Sequence, residues 1–184
     1  MKLLSVILPA YNEEKMIEKA GTVIGRILEE QKIPYEIVFV DDGSKDRTWS
    51  EIDRTAVNNP HIAGVHFSRN FGKESAMLAG LANAKGDCCV VMDCDLQHPP
   101  ETAVEMYRLW EQGYEVVEGV KHSRGKESLA HKASAGMFYK LISKAVGIDM
   151  SRASDFKLLD RKAVDALLEM PERNAFFRAL SAWI

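Results

Sequence analysis

The sharpest chemical feature of the sequence is Asp93-Cys94-Asp95, followed by Gln97. Two carboxylates two residues apart, with an amide two further on, supply oxygen ligands for a hard divalent cation. Mg²⁺ or Mn²⁺ held in this way usually keeps water and substrate phosphate in its shell. A second acidic pair, Asp41-Asp42, runs into Gly43-Ser44, a turn composition. These acids can serve as further metal ligands. Alternatively, one of them can accept a hydrogen bond from an N–H group of a nucleobase, with Tyr11 offering a ring for stacking. The third feature is basic. Residues 121–144 hold six Lys and Arg against one acid, Glu127, a net +5 in a chain whose total is −3. Such a patch on an acidic body points to a specific anionic partner, and the overall charge argues against nucleic acid.

The pattern of elements must bring these groups together. Residues 3–8 form an apolar run closed by Pro9, which predicts a buried strand. Asn12 is placed to cap the helix that follows, with Glu13 and Glu14 in its first turn, where the dipole favours acids. Apolar residues then recur at helical spacing to about Gln31. Strands are expected over 35–40, 62–67, 87–92, 114–120 and 156–159, and helices over 46–58, 74–84 and 128–146. Pro100 opens a further helix that Gly113 closes, and the chain ends in helical residues. The alternation predicts an α/β fold, a mostly parallel central sheet with helices on both faces.

In such sheets ligands bind beyond the carboxyl ends of the strands. The first strand is followed by Pro9-Ala10-Tyr11-Asn12-Glu13, the second by Asp41-Asp42, the fourth by Asp93-Cys94-Asp95 and the fifth by Lys121 and Arg124. All should converge on one edge of the sheet. The G-x-G-x-x-G and GxxxxGK[ST] phosphate loops are both absent, so a diphosphate would be held by metal.

Composition limits the alternatives. A chain of 184 residues, 46% hydrophobic and 28% charged, suits one soluble domain spanning residues 1–184 and excludes a disordered chain. No run reaches the length of a transmembrane helix, and the N-terminus turns acidic too soon for a signal peptide. Cys88, Cys89 and Cys94 lack any CxxC spacing and read as reduced thiols, not a zinc site. Lys73 reads either as a phosphate contact or as an exposed loop lysine, and His98 as a turn residue, not a ligand. His61, His66 and His122 carry no readable role.

Five segments together resemble family 2 glycosyltransferases of GT-A fold. They are Pro9-Ala10-Tyr11-Asn12-Glu13, Val40-Asp41-Asp42-Gly43-Ser44, Ser68-Arg69-Asn70-Phe71-Gly72-Lys73, Asp93-Cys94-Asp95-Leu96-Gln97-His98-Pro99-Pro100 and Asp155-Phe156-Lys157-Leu158-Leu159-Asp160-Arg161. The resemblance is strongest to the polyprenyl-phosphate branch, which includes dolichyl-phosphate mannose synthase and bactoprenol glucosyltransferase-like enzymes. It implies that Pro9, Tyr11, Glu13 and Asp42 hold the nucleoside of a nucleotide-sugar, with Val40 beside the base. Asp93, Asp95 and Gln97 would bind Mg²⁺ or Mn²⁺ and, through it, the diphosphate. Arg124 and Lys121 would face phosphate, including that of the acceptor, and Asp155 would sit at the junction of sugar and acceptor. In this sequence Cys94 stands where Ala is usual and Lys157 where Arg is common.

The implied reaction is inverting transfer from a UDP- or GDP-sugar to a polyprenyl phosphate in cell-envelope glycan synthesis. An alcohol acceptor would need a general base, for which Asp155 is the candidate. A phosphate monoester is already anionic near neutral pH, so Asp155 would orient it instead. The resemblance further implies work at the cytoplasmic face of a membrane, by a chain soluble in itself that stops before C-terminal membrane segments; homo-oligomer assembly is left open. Three other readings stand beside it. One is a family 2 transferase acting on a saccharide hydroxyl, one a sugar nucleotidyltransferase, and one a non-enzymatic Mg²⁺-binding receiver-like module.

Overall fold

A computed structural model describes residues 2–119, 154–170 and Phe177. Lys121, Arg124, the rest of the basic segment and the terminal residues other than Phe177 lie outside the described residues. The elements run β1 (Leu4–Ala10), α1 (Ile17–Glu30), β2 (Tyr35–Asp41), α2 (Thr48–Asn58), β3 (Ile62–His66), α3 (Lys73–Asn83), β4 (Cys88–Val91) and α4 (Pro100–Glu111). After them come β5 (Val116–Glu118), β6 (Lys157–Asp160) and α5 (Arg161–Glu169).

The six strands form one sheet in the order β3-β2-β1-β4-β6-β5. β1 pairs in parallel with β2 and β4, and β2 with β3. β6 enters antiparallel between β4 and β5, with Lys157 opposite both Val91 and Glu118. The direction of β6 matters for the site. A strand that runs against its neighbours begins where they end, so residues 154–156 arrive at the carboxyl edge of the parallel strands. The strand order also differs from the 2-1-3-4-5 order of flavodoxin-like receivers, which removes the receiver-like reading.

Both faces of the sheet are covered, as the continuous apolar strands require. Alternation in β1 assigns the faces. Leu4, Val6 and Leu8 pack with Ile24 and Leu28 of α1 and with Met106 and Trp110 of α4. Ile7 points the other way, into a cluster with Met77 and Leu81 of α3 and Val164 and Leu167 of α5. Phe177 is fully buried in that second cluster, and its backbone N–H donates to Glu74 Oε2 at 2.7 Å.

Most expected elements occur within a few residues of their predicted bounds. Pro100 and Gly113 bracket α4 as expected, Gly113 adopting φ 103°. Two elements differ in detail. β5 spans Val116–Glu118, inside the expected 114–120, whose last residue lies outside the described residues, and its pairing with β6 continues on either side through Asp160 N–H to Glu115 O and Gly119 N–H to Phe156 O. Asn12 does not cap α1. The helix begins at Ile17, and Asn12 sits at φ 56° with its side chain committed elsewhere.

Candidate active site

The loops after β1 and β2 are laced together, and this is what Asn12 does instead of capping. Its Oδ1 accepts the Lys45 N–H at 2.9 Å, and its own N–H donates to Ser44 Oγ at 2.9 Å. Glu13 N–H donates to Thr48 Oγ1 at 2.8 Å, Glu14 N–H to Asp46 Oδ2 at 3.2 Å, and Arg47 N–H to Glu14 Oε2 at 3.1 Å. Asp46 Oδ1 also accepts the Thr48 N–H at 2.9 Å and so starts α2. Burial acts to raise the Asp46 pKa, but the bonds from Thr48 and Glu14 outweigh it and hold that carboxyl below its ordinary range. Lacing fixes the backbone of Tyr11, whose ring stays exposed at the cleft.

The two acids ending β2 have separate tasks. Asp41 is fully buried; its Oδ1 accepts the Ser44 N–H at 3.0 Å and its Oδ2 lies 2.7 Å from His66 Nδ1. His66 in turn stacks on Trp49 with ring centroids 4.8 Å apart. Both oxygens of Asp41 are therefore engaged inside the scaffold, which sets aside the alternative of Asp41 as a metal ligand. Asp42 faces the cleft, and its carboxylate accepts the N–H groups of Phe71 at 2.7 Å and Gly72 at 3.0 Å. Gly43, at φ 66°, lets this turn pass against the Arg69 backbone, where a Cβ would collide.

The cleft itself is about 290 Å³, lined by Pro9, Tyr11, Glu13, Asp42, Asp93 and Asp95 together with Asn70, Gly72 and Lys73. It lies beyond the carboxyl ends of β1 and β4, the point from which the parallel order runs outward in the two directions. That is the expected place for a ligand. Val40 is not part of the lining and is buried against α3 in the core.

Asp93 and Asp95 end β4 and point differently. Asp95 Oδ1 accepts the Gln97 N–H at 2.9 Å, and Leu96 between them is held at φ 59°, a left-handed conformation that costs a branched residue about 1–3 kcal/mol. Asp93 Oδ1 lies 2.5 Å from Lys73 Nζ. Glu13 shares this field. Burial raises its pKa first, and the charges of Asp95, Asp46 and Asp93 raise it further. Cys94 is buried between the aspartates, and burial followed by the charges of Glu13, Asp95 and Asp93 pushes its thiol up to about 12. It is therefore a neutral thiol near pH 7 in the metal-free cleft.

Asp155 reaches the same place from the entry to β6. Its Oδ2 lies 3.2 Å from the same Lys73 Nζ. Burial acts to lower the Lys73 pKa, but the hydrogen bond and charge of Asp93, with those of Asp155, prevail and raise it. Behind Asp155, Phe156 is buried against the His98 ring at 4.7 Å, and the buried Lys157 lies 3.7 Å from Glu118.

The structure thus brings together Pro9, Tyr11, Glu13, Asp42, Asp93, Asp95 and Asp155, and adds Lys73, Asn70 and Gly72. Among the described residues, no three His, Cys, Asp or Glu side chains converge as a complete metal cage. Asp93 and Asp95 nevertheless fit a hard cation that completes its shell with water and phosphate, and such a cation would relieve the carboxylate charges that add to burial in raising Glu13.

A parallel sheet with an inserted antiparallel strand, carrying acids from three strand ends around one cleft, is the architecture of the nucleotide-sugar transferases of GT-A fold. Solved structures bear this out. The chain matches a mannosyltransferase from Pyrobaculum calidifontis in complex with GDP-Man and Mn²⁺ at 24% identity and TM-score 0.59, over 89% of this chain and 46% of that one. It also matches glucosyl-3-phosphoglycerate synthase from Mycobacterium tuberculosis with Mn²⁺ and UDP-glucose, at 24% identity and TM-score 0.59, over 88% and 57%. The family model for glycosyl transferase family 2 covers residues 5–168, and the chain belongs to that family. Among curated relatives, an uncharacterized glycosyltransferase, YkcC, of Bacillus subtilis is 40% identical over 98% of this chain and 56% of its own length. A prophage bactoprenol glucosyl transferase homolog of Escherichia coli is 35% identical over 98% and 60%. The chain spans a little over half the length of these relatives.

Proposed function

We propose that this chain is the catalytic domain of a metal-dependent, inverting glycosyltransferase that moves a sugar from a UDP- or GDP-sugar to a polyprenyl phosphate. The observation that carries the reading is the meeting of Asp42, Asp93 and Asp95, from two strand ends, around one cleft, with Asp155 from the start of a third strand joined to it through Lys73. The bactoprenol relatives support the lipid acceptor, and the solved relatives with Mn²⁺ and nucleotide-sugars support the donor.

Tyr11 offers its ring to the base, and the laced loops keep it in place. Asp42, Glu13 and Pro9 line the nucleoside end. Asp93 and Asp95, with Gln97, would hold Mg²⁺ or Mn²⁺, which when bound draws off the negative charge that grows on the departing diphosphate. Asp155 faces the sugar and orients the acceptor. With a phosphate monoester as acceptor no strong base is required, because the attacking oxygen is already anionic. Lys121 and Arg124 would hold that phosphate, and the basic segment around them would meet a membrane surface. No helix among the described residues is long and apolar enough to cross a membrane.

The test is incubation with Mn²⁺, a panel of UDP- and GDP-sugars and a polyprenyl phosphate, followed by product analysis. Glycolipid and free nucleoside diphosphate are expected. Release of pyrophosphate would make the chain a nucleotidyltransferase, and transfer only to a free saccharide would overturn the lipid acceptor.

A further inference from the structure

The Lys73 ammonium is an unexpected occupant of the cleft. It lies 2.5 Å from Asp93 Oδ1 at the end of β4 and 3.2 Å from Asp155 Oδ2 at the start of β6. Lys73 is also the first residue of α3, at the positive end of the helix dipole, which is the unfavourable end for a cation. Its position is therefore set by the carboxylates and by its anchor. Asp42 fixes the two backbone amides just before it, at Phe71 and Gly72, so the helix start is pinned and only the side chain need shift for the ammonium to change partners.

We propose that Lys73 is the resident counter-ion of the cleft: it bridges Asp93 and Asp155 before the donor arrives, and a divalent cation displaces it from Asp93 while Asp155 keeps it. The inference rests on the metal reading of Asp93 and Asp95 given above. Exposure decides which end lets go. The Asp93 side chain is 40% exposed and that of Asp155 only 15%. An exposed ion pair is worth little, so the more exposed Asp93 end is the one a metal exchanges at least cost. Exchange at the Asp93 end gives that carboxylate to the metal, and it leaves a cation beside Asp155, where the sugar would change hands. Lys73 is in this sense a positioning residue: it acts through Asp93 and Asp155.

A purely structural ion pair makes a different prediction from a displaceable one, and Mn²⁺ binding without nucleotide separates them. Free Mn²⁺ would be titrated by electron paramagnetic resonance against the native chain, Lys73→Met, Lys73→Arg and Asp95→Asn, with the melting temperature of each recorded. Lys73→Met should bind Mn²⁺ at least roughly fivefold more tightly than the native chain, the size of one unit charge acting over about 4 Å in water. Lys73→Arg, which keeps the charge, should stay near the native affinity, and Asp95→Asn should bind far more weakly. Unchanged or weaker binding in a well-folded Lys73→Met overturns the inference, and so does Lys73→Arg behaving like Lys73→Met. If Asp95→Asn abolishes binding but Lys73→Met does not strengthen it, the metal site stands and this inference alone falls. If neither the native chain nor Lys73→Met binds Mn²⁺, both fall.

Discussion

Asp42 and Gly72 are joined by the Asp42 carboxylate, which accepts the Gly72 N–H at 3.0 Å through one oxygen and 3.2 Å through the other. The acid proposed to face the nucleoside thus also sets the start of α3 and, one residue on, the position of Lys73. The proposed nucleoside pocket and transfer centre are consequently tied through one backbone anchor.

Removing that carboxylate should be felt as stability before it is felt as chemistry. Asp42 is 3% exposed, so Asp42→Ala leaves the Phe71 and Gly72 amides without their acceptor. A loss of about 2–3 kcal/mol is expected, or roughly 5–10 °C in melting temperature for a chain of this size. Asp42→Asn, which keeps one carbonyl acceptor, should lose about half as much. Thermal denaturation of the three chains checks this, and an unchanged melting temperature for Asp42→Ala would show that the bonds contribute nothing.

Glu13 gives a pH prediction. Its carboxyl titrates above the ordinary value of 4.5, first through burial and then through the charges of Asp95, Asp46 and Asp93. A carboxyl with a raised native pKa binds its proton more tightly when folded, so stability falls as pH rises from the unfolded to the folded pKa and stays reduced above both. Glu13→Gln should therefore raise the melting temperature of the metal-free chain near pH 7, with the gain vanishing well below the ordinary carboxyl range. A melting curve series over pH checks the sign. Added Mn²⁺ should shrink the gain, because it neutralises the same field.

The cysteines should be inert. Burial pushes the Cys94 thiol to about 12 and the Cys89 thiol to about 11, and it raises Cys88 as well. Since the thiolate is the reactive species, iodoacetamide near pH 8 should leave all three unlabelled in the folded chain and label them once it is denatured. Mass spectrometry reads this directly. Cys94→Ala should retain Mn²⁺ affinity, since a hard cation takes carboxylate oxygen in preference to sulfur.

Much of this site was legible because residue type and strand order carry it. The apolar run before Asp93 marks β4, and the rule that ligands gather at carboxyl ends places Asp93, Asp95, Asp42 and Tyr11 together. What escaped the sequence depended on direction and on long-range partners. The stretch 156–159 reads as a strand, but nothing local says that β6 runs antiparallel, which is why Asp155 arrives at the cleft. Asn12 has the composition of a helix cap, yet a loop 33 residues away takes its side chain. Asp41 and Asp42 look equivalent in sequence, and only the partnering of Asp41 with His66 assigns one to the scaffold and the other to the cleft. Lys73 lies 20 residues before Asp93 and 82 before Asp155, so no spacing rule could have joined the three.

The central claim is a metal-dependent diphosphate site at Asp93 and Asp95, and calorimetric titration of UDP and GDP with and without Mn²⁺ tests it most directly. One of the two should bind the native chain only when Mn²⁺ is present, and Asp95→Asn should lose that binding while keeping its fold. Equal binding with and without Mn²⁺, or full binding by a folded Asp95→Asn, would contradict it.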